Sequence, residues 1–139
     1  MPQRKNENKN RQLGFTMMEL LIVIVILGLL MSLVAPDFFK RLGSSQKKIA
    51  SVQMSSLETA IDTYRLDVGS YPKSLEELRS SEVPRWDGPY LPKAVPLDPW
   101  DSPYFYKTPG ENGAPYILLS YGADKKEGGE GDNADIVHQ

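Results

Sequence analysis

Apolar residues fall into three regimes along this chain. From Phe15 to Ala35 they are nearly continuous (FTMMELLIVIVILGLLMSLVA), with one carboxylate, Glu19, set among them. From Pro36 to Leu66 they thin to a stripe: Phe39, Leu42, Ile49, Gln53, Leu57, Ile61 and Tyr64 recur at three-, four- or seven-residue steps, while Lys40, Arg41, Lys47, Lys48, Glu58, Asp62 and Arg65 occupy other faces. The pattern predicts one long helix from about Thr16 to Leu66, kinked or locally loosened near Pro36 and Gly43. The amphipathic half needs a cover, which the residues after Leu66 must supply.

Beyond Asp67 the apolar runs are short and punctuated. Gly69 and Pro72 stop the helix, and Ser74-Leu75-Glu76-Glu77-Leu78 reads as a short helix with Ser74 as N-cap and Glu77 three residues on. Residues 83–103 carry Pro84, Pro89, Pro92, Pro96, Pro99 and Pro103 together with Trp86, Tyr90, Leu91, Val95, Leu97 and Trp100, which predicts a rigid, irregular segment laid across the domain. Tyr104–Lys107 and Tyr116–Ser120 read as two strands of a β-hairpin joined by TPGENGAP. The fold class is therefore α+β: a long N-terminal helix, half in membrane and half amphipathic, packed against a small antiparallel sheet.

Charge gives the first segment a direction. Residues 1–14 carry Arg4, Lys5, Lys9 and Arg11 against Glu7, a side-chain charge of +3, so this end is expected on the cytoplasmic side and everything after the span outside. Phe15 to Ala35 is 21 residues, roughly 31 Å of helix against a bilayer core of about 30 Å. That exceeds the apolar core of a secretory signal peptide, and PDFFKRLGS downstream offers no small-x-small cleavage site, so the helix should be retained.

Glu19 is costly in such a segment, since a carboxylate at mid-bilayer costs about 2.5–3.5 kcal/mol on insertion scales. Two readings are open. Glu19 could lie one turn inside the interface, reaching headgroups and suiting the positive end of the helix. Alternatively it pairs with a cation at the same depth: cleavage between Gly14 and Phe15 would create an α-amine four residues before Glu19, and a neighbouring subunit's amine would serve equally well.

There is no cysteine, so the small soluble portion cannot be stapled by a disulfide. The C-terminal stretch SYGADKKEGGEGDNADI instead collects Asp124, Glu127, Glu130, Asp132 and Asp135 with Gly122, Gly128, Gly129 and Gly131. Hard cations want six to eight oxygens, which a glycine-bent loop can turn inward. The match to an EF-hand is weak because Lys126 and Gly128 fall where ligands belong; one nonapeptide-like copy is weak too. A solvated acidic tail remains the other reading. Catalysis has little to draw on: His138 is the only histidine, and neither a nucleophile triad nor a zinc-ligand cluster is present. Removing the leader's four basic and one acidic side chains from 16 and 18 leaves 12 and 17, a charge of −5 that argues against nucleic acid as a partner. Trp86 and Trp100 are expected to pack the core.

QLG/FTMMELLIVIVILGLL resembles the class III signal of type IV pilin-like proteins: basic leader, Gly before the cut, Phe after it, Glu as the fifth mature residue. DPWDSPYFY, PGENG, LLSYGAD and GGEGDNADI, in that order over residues 98–136, resemble the major-pseudopilin family of type II secretion systems. The resemblance implies a leader, 1–14, removed by a prepilin peptidase between Gly14 and Phe15 with N-methylation of Phe15; a membrane and filament-core helix, 15–35; and a periplasmic domain, 36–139. It implies that Glu19 assists assembly and that the C-terminal loop binds calcium (Ca2+) through Asp124, Asp135, Asp132 and the Tyr121 carbonyl. The implied function is non-enzymatic: a single-pass inner-membrane subunit that polymerises with itself into a periplasmic filament exporting folded proteins across the outer membrane. Its implied partners are minor pseudopilins and the inner-membrane assembly platform. The alternative within the superfamily is a type IV or competence pilin serving adhesion, motility or DNA uptake.

Overall fold

The structure, a computed structural model, describes Met1 and residues 14–137. The basic side chains of the leader and His138 lie outside the described residues. The chain divides into two units, Met1–Phe39 and Lys40–Gln139.

Helix α1 spans Met17–Val68, and its backbone stays helical through both Pro36 and Gly43. Proline removes one intrahelical donor, which the closed turns on either side absorb. In the first unit the apolar side chains from Met17 to Phe39 are exposed all round, and an 18-residue window is long and apolar enough to cross a membrane. A helix apolar all round, with no single stripe, suits surroundings that are apolar on every side.

The second unit has an ordinary core. Met54, Leu57, Ala60, Ile61 and Tyr64 of α1 pack with Leu75, Leu78, Leu91, Tyr104 and Leu118, all of them buried. The C-terminal residues thus cover the stripe, as the pattern requires, but not along its whole expected length. Phe39, Leu42 and Ile49 are 64%, 45% and 51% exposed, and the buried line runs instead through Gly43, Ala50 and Met54. Gly43 and Ala50 are buried because they are small, and a hydrophobic pattern does not register positions chosen for close approach.

A short 3-10 helix, Leu75–Leu78, follows where a capped helix is expected. Ser74 makes no side-chain cap. Glu77 reaches back one residue further: its Oε2 accepts from the Lys73 amide (3.0 Å) and the Tyr64 hydroxyl (2.9 Å), tying this turn to α1. Residues 83–103 form no long element, yet Leu91 is buried, the Tyr90 amide donates to the Leu78 carbonyl, and the Trp86 indole donates to the Glu77 carbonyl at 2.9 Å.

Strands β1 (Phe105–Lys107) and β2 (Ile117–Ser120) pair antiparallel with Tyr106 opposite Leu118, which is the expected hairpin. A third strand, β3 (Ile136–Val137), pairs antiparallel with the other side of β2, Ser120 opposite Ile136. Two residues are too short to show alternation, so no pattern in the sequence announces β3. The sheet order β1-β2-β3 closes the glycine-rich segment into a loop that leaves and re-enters the same strand edge.

Candidate functional site

Two places carry the chemistry of this chain, one at each end. At the first, Gly14 and Phe15 precede α1 and are exposed, Phe15 at 92%. Thr16 is the residue before the first helical turn. Its amide donates to Glu19 Oε2 at 2.9 Å and its hydroxyl to the same oxygen at 3.4 Å, while the Glu19 amide donates to the Thr16 hydroxyl oxygen at 3.1 Å. This is a reciprocal capping box, in which two helix-terminal amides that have no intrahelical acceptor are satisfied by side chains. The signal stands in the sequence as Thr-x-x-Glu before an apolar run. Reading Glu19 only as a charge in a membrane segment passed over it.

At the other end, the loop after β2 begins on a buried network. Asp98, 3% exposed, accepts at Oδ1 from the amides of Trp100 (3.0 Å) and Ser102 (2.8 Å) and at Oδ2 from the Ser120 hydroxyl (2.6 Å). Ser120 Oγ in turn accepts from the Gly122 amide at 3.2 Å. Burying a carboxylate is costly unless its oxygens are filled, and here donors from two segments fill them. The network locks the Asp98-Pro99-Trp100-Asp101-Ser102 turn to the first residues of the loop. Sequence reasoning noted DPWDSP as a motif but assigned Asp98 no role.

The implied cation ligands are placed as follows. Asp124 Oδ1 accepts from the Lys126 amide (3.1 Å), closing a local turn. Asp135 Oδ2 accepts from the Gly128 amide (2.9 Å), while its Oδ1 is buried with no hydrogen-bond partner. Tyr121 is half-buried, its ring against Phe105 with centroids 5.7 Å apart. Asp132 points away, to α1: its Oδ1 lies 3.7 Å from Lys47 Nζ. Among the described residues no three His, Cys, Asp or Glu side chains are grouped closely enough to hold one metal ion. Gly129, at φ +90°, is a required glycine, because a Cβ there would collide with the Asn133 carbonyl.

For calcium the orphaned oxygen is the telling observation. A buried carboxylate oxygen without a donor is destabilising, and a cation is one partner that would satisfy it. Asp135 offers such an oxygen, whereas Asp132 lies against Lys47 instead.

A long helix that begins on an exposed apolar segment and ends under a small antiparallel sheet defines the pilin-like class. Two family descriptions divide the chain between them: the prokaryotic N-terminal methylation motif matches residues 9–35, and type II secretion system (T2SS), protein G, matches residues 37–139. The chain belongs to the type II secretion system protein G family. It is 36% identical over 136 residues to the type II secretion system core protein G of Pseudomonas aeruginosa, covering 92% of this chain and 95% of that one. To the core protein G of Vibrio cholerae it is 39% identical over 134 residues, covering 91% and 90%. The crystal structure of the major pseudopilin from the type 2 secretion system of enterohaemorrhagic Escherichia coli superposes with a TM-score of 0.58 at 28% identity, covering 73% of this chain and 93% of that one. The family is a structural one, not an enzyme family, and the apolar helix with its methylation motif fits a single-pass inner-membrane protein.

Proposed function

We propose that this chain is the major structural subunit of a type II secretion pseudopilus. The observation that carries the reading is the joining, in one chain, of a methylation-motif helix start to a protein G domain. Supporting it, the apolar surface of α1 from Met17 to Phe39 is exposed in the single subunit and demands lipid or copies of itself. A heterologous contact between such helices does not close and so propagates as a filament. In this reading a prepilin peptidase cuts between Gly14 and Phe15 and Phe15 is N-methylated. The N-terminus is cytoplasmic and residues 36–139 face the periplasm. Minor pseudopilins and an inner-membrane platform complete the assembly, which exports folded proteins across the outer membrane.

Glu19 has two roles in this reading. It caps its own helix, and its charge attracts the amine of a neighbouring subunit, favouring one register of packing. Mass spectrometry of the membrane form decides the processing: the expected chain starts at N-methylated Phe15, and an intact Met1 start overturns the reading.

Calcium in the C-terminal loop is the finer part of the proposal. Asp135, Asp124 and the Tyr121 carbonyl would hold it, with Asp132 joining on release from Lys47. The bound ion would neutralise the buried carboxylate and stiffen the loop in a chain that has no disulfide. Chelation is expected to lower the melting temperature of the full chain in detergent, and Asp135→Asn to abolish that response. A melting temperature indifferent to chelator would remove calcium while leaving the pseudopilin assignment intact.

A further inference from the structure

Lys47 and Gly43 lie one helical turn apart on α1, and both meet Asp132 of the C-terminal loop, Lys47 reaching Gly131 as well. The Lys47 ammonium donates to the Gly131 carbonyl and stands 3.7 Å from Asp132 Oδ1. At Gly43 an added Cβ would lie 2.5 Å from Asp132 Oδ1 and 2.7 Å from its Cγ, so the carboxylate packs directly on helix backbone. Gly131 and Asp132 open the short 3-10 turn Gly131–Asn133, and β3 begins three residues later at Ile136. Within that turn the Asp132 carbonyl accepts from the Ala123 amide, joining the far side of the loop to its near side.

We infer that Gly43 and Lys47 are positioning residues for the C-terminal loop: a side-chain-free patch and a fixed cation on α1 that together set where Asp135 and β3 fall. The other hydrogen bonds described above for residues 122–135 are made within the loop or to β2. Lys47 supplies a charge-assisted bond to a carbonyl, which is directional, besides the looser ion pair. Gly43 supplies the depth. A Cβ at position 43 would press on the Asp132 carboxylate and push it off the helix surface, away from its place beside Lys47.

The test is amide exchange on the full chain in detergent micelles, with chelator present so that the result does not depend on calcium. Lys47→Met and Gly43→Ala are each expected to speed exchange at residues 133–137 roughly tenfold, as fits loss of a hydrogen bond to a charged group. Amides of 54–64 on α1 should be unaffected. Lys47→Arg, which keeps the cation and a donor, should restore protection to within about threefold of the parent chain. Unchanged exchange at 133–137 in Lys47→Met overturns the inference. So does a uniform rise that includes 54–64, or failure of arginine to rescue, since either would mark a general loss of packing.

Discussion

The two ends of α1 share one continuous helical backbone and live by different rules. From Met17 to Phe39 large apolar side chains surround the helix and are exposed; from Ala50 to Tyr64 a single line of apolar side chains is buried and the remaining faces are mainly polar. The difference lies in what each side chain meets. In the second half, burial is selective, so a side chain's worth depends on its angular position. In the first half no face of the single subunit is buried, so for its apolar side chains composition matters more than angular position. One element can therefore serve two solvents with no break in its backbone.

The sharpest way to break this comparison is to delete the same atoms in both halves. Ile61→Ala should cost about 2–5 kcal/mol through the cavity left under the sheet, lowering the domain's melting temperature by roughly 10 °C or more. Ile26→Ala, which removes as much side chain from an exposed position, should leave that melting temperature unchanged. Equal shifts would show that the two halves are not distinct. Next in size is Asp98→Ala, which strands the amides of Trp100 and Ser102 and the Ser120 hydroxyl. A loss of about 3 kcal/mol in a denaturant titration is expected, since buried donors are left unpaired.

The smallest effect is one of pH and belongs to the second half alone. Burial raises the phenol pKa values of Tyr64, Tyr90, Tyr104 and Tyr116 above their usual range and pushes Tyr106 up to about 12. The charges of Asp98 at Tyr104 and Glu58 at Tyr116 add to this. Above about pH 10 the unfolded chain loses these protons while the folded one keeps them, so stability falls as pH rises. The contribution is intact below about pH 10 and disappears as pH passes through about 12. Melting temperatures across that window should decline steadily, and a flat profile would contradict the burial of these hydroxyls.

Much of this architecture is legible in the sequence, for reasons that differ by region. The membrane-length run, the Leu57–Ile61–Tyr64 line and the hairpin around TPGENGAP are periodic or punctuated, and such signals survive without tertiary information. What escapes is what two distant segments do to each other. Gly43 reads as a helix weak point until Asp132 is seen lying on it. Asp98 has no legible role until Ser120 supplies a donor 22 residues away. Phe39, Leu42 and Ile49 pass every test for a buried stripe and are exposed, because periodicity reports an apolar face but not what covers it. Thr16 is the opposite case: its pairing with Glu19 is local, and Thr-x-x-Glu stands readable in the sequence.

The Thr16–Glu19 box has one more consequence. Both of its residues lie beyond a cut between Gly14 and Phe15, so the box would survive removal of the leader. In hydrocarbon an unsatisfied amide costs several kcal/mol, and a helix starting there without its own cap would need a neighbour merely to exist. With the box in place, two of the four amides that the helix start leaves free are satisfied within the solitary subunit. On the proposed reading, this would decouple storage from use: a single chain would rest in a bilayer with its helix start already capped from within, before any association.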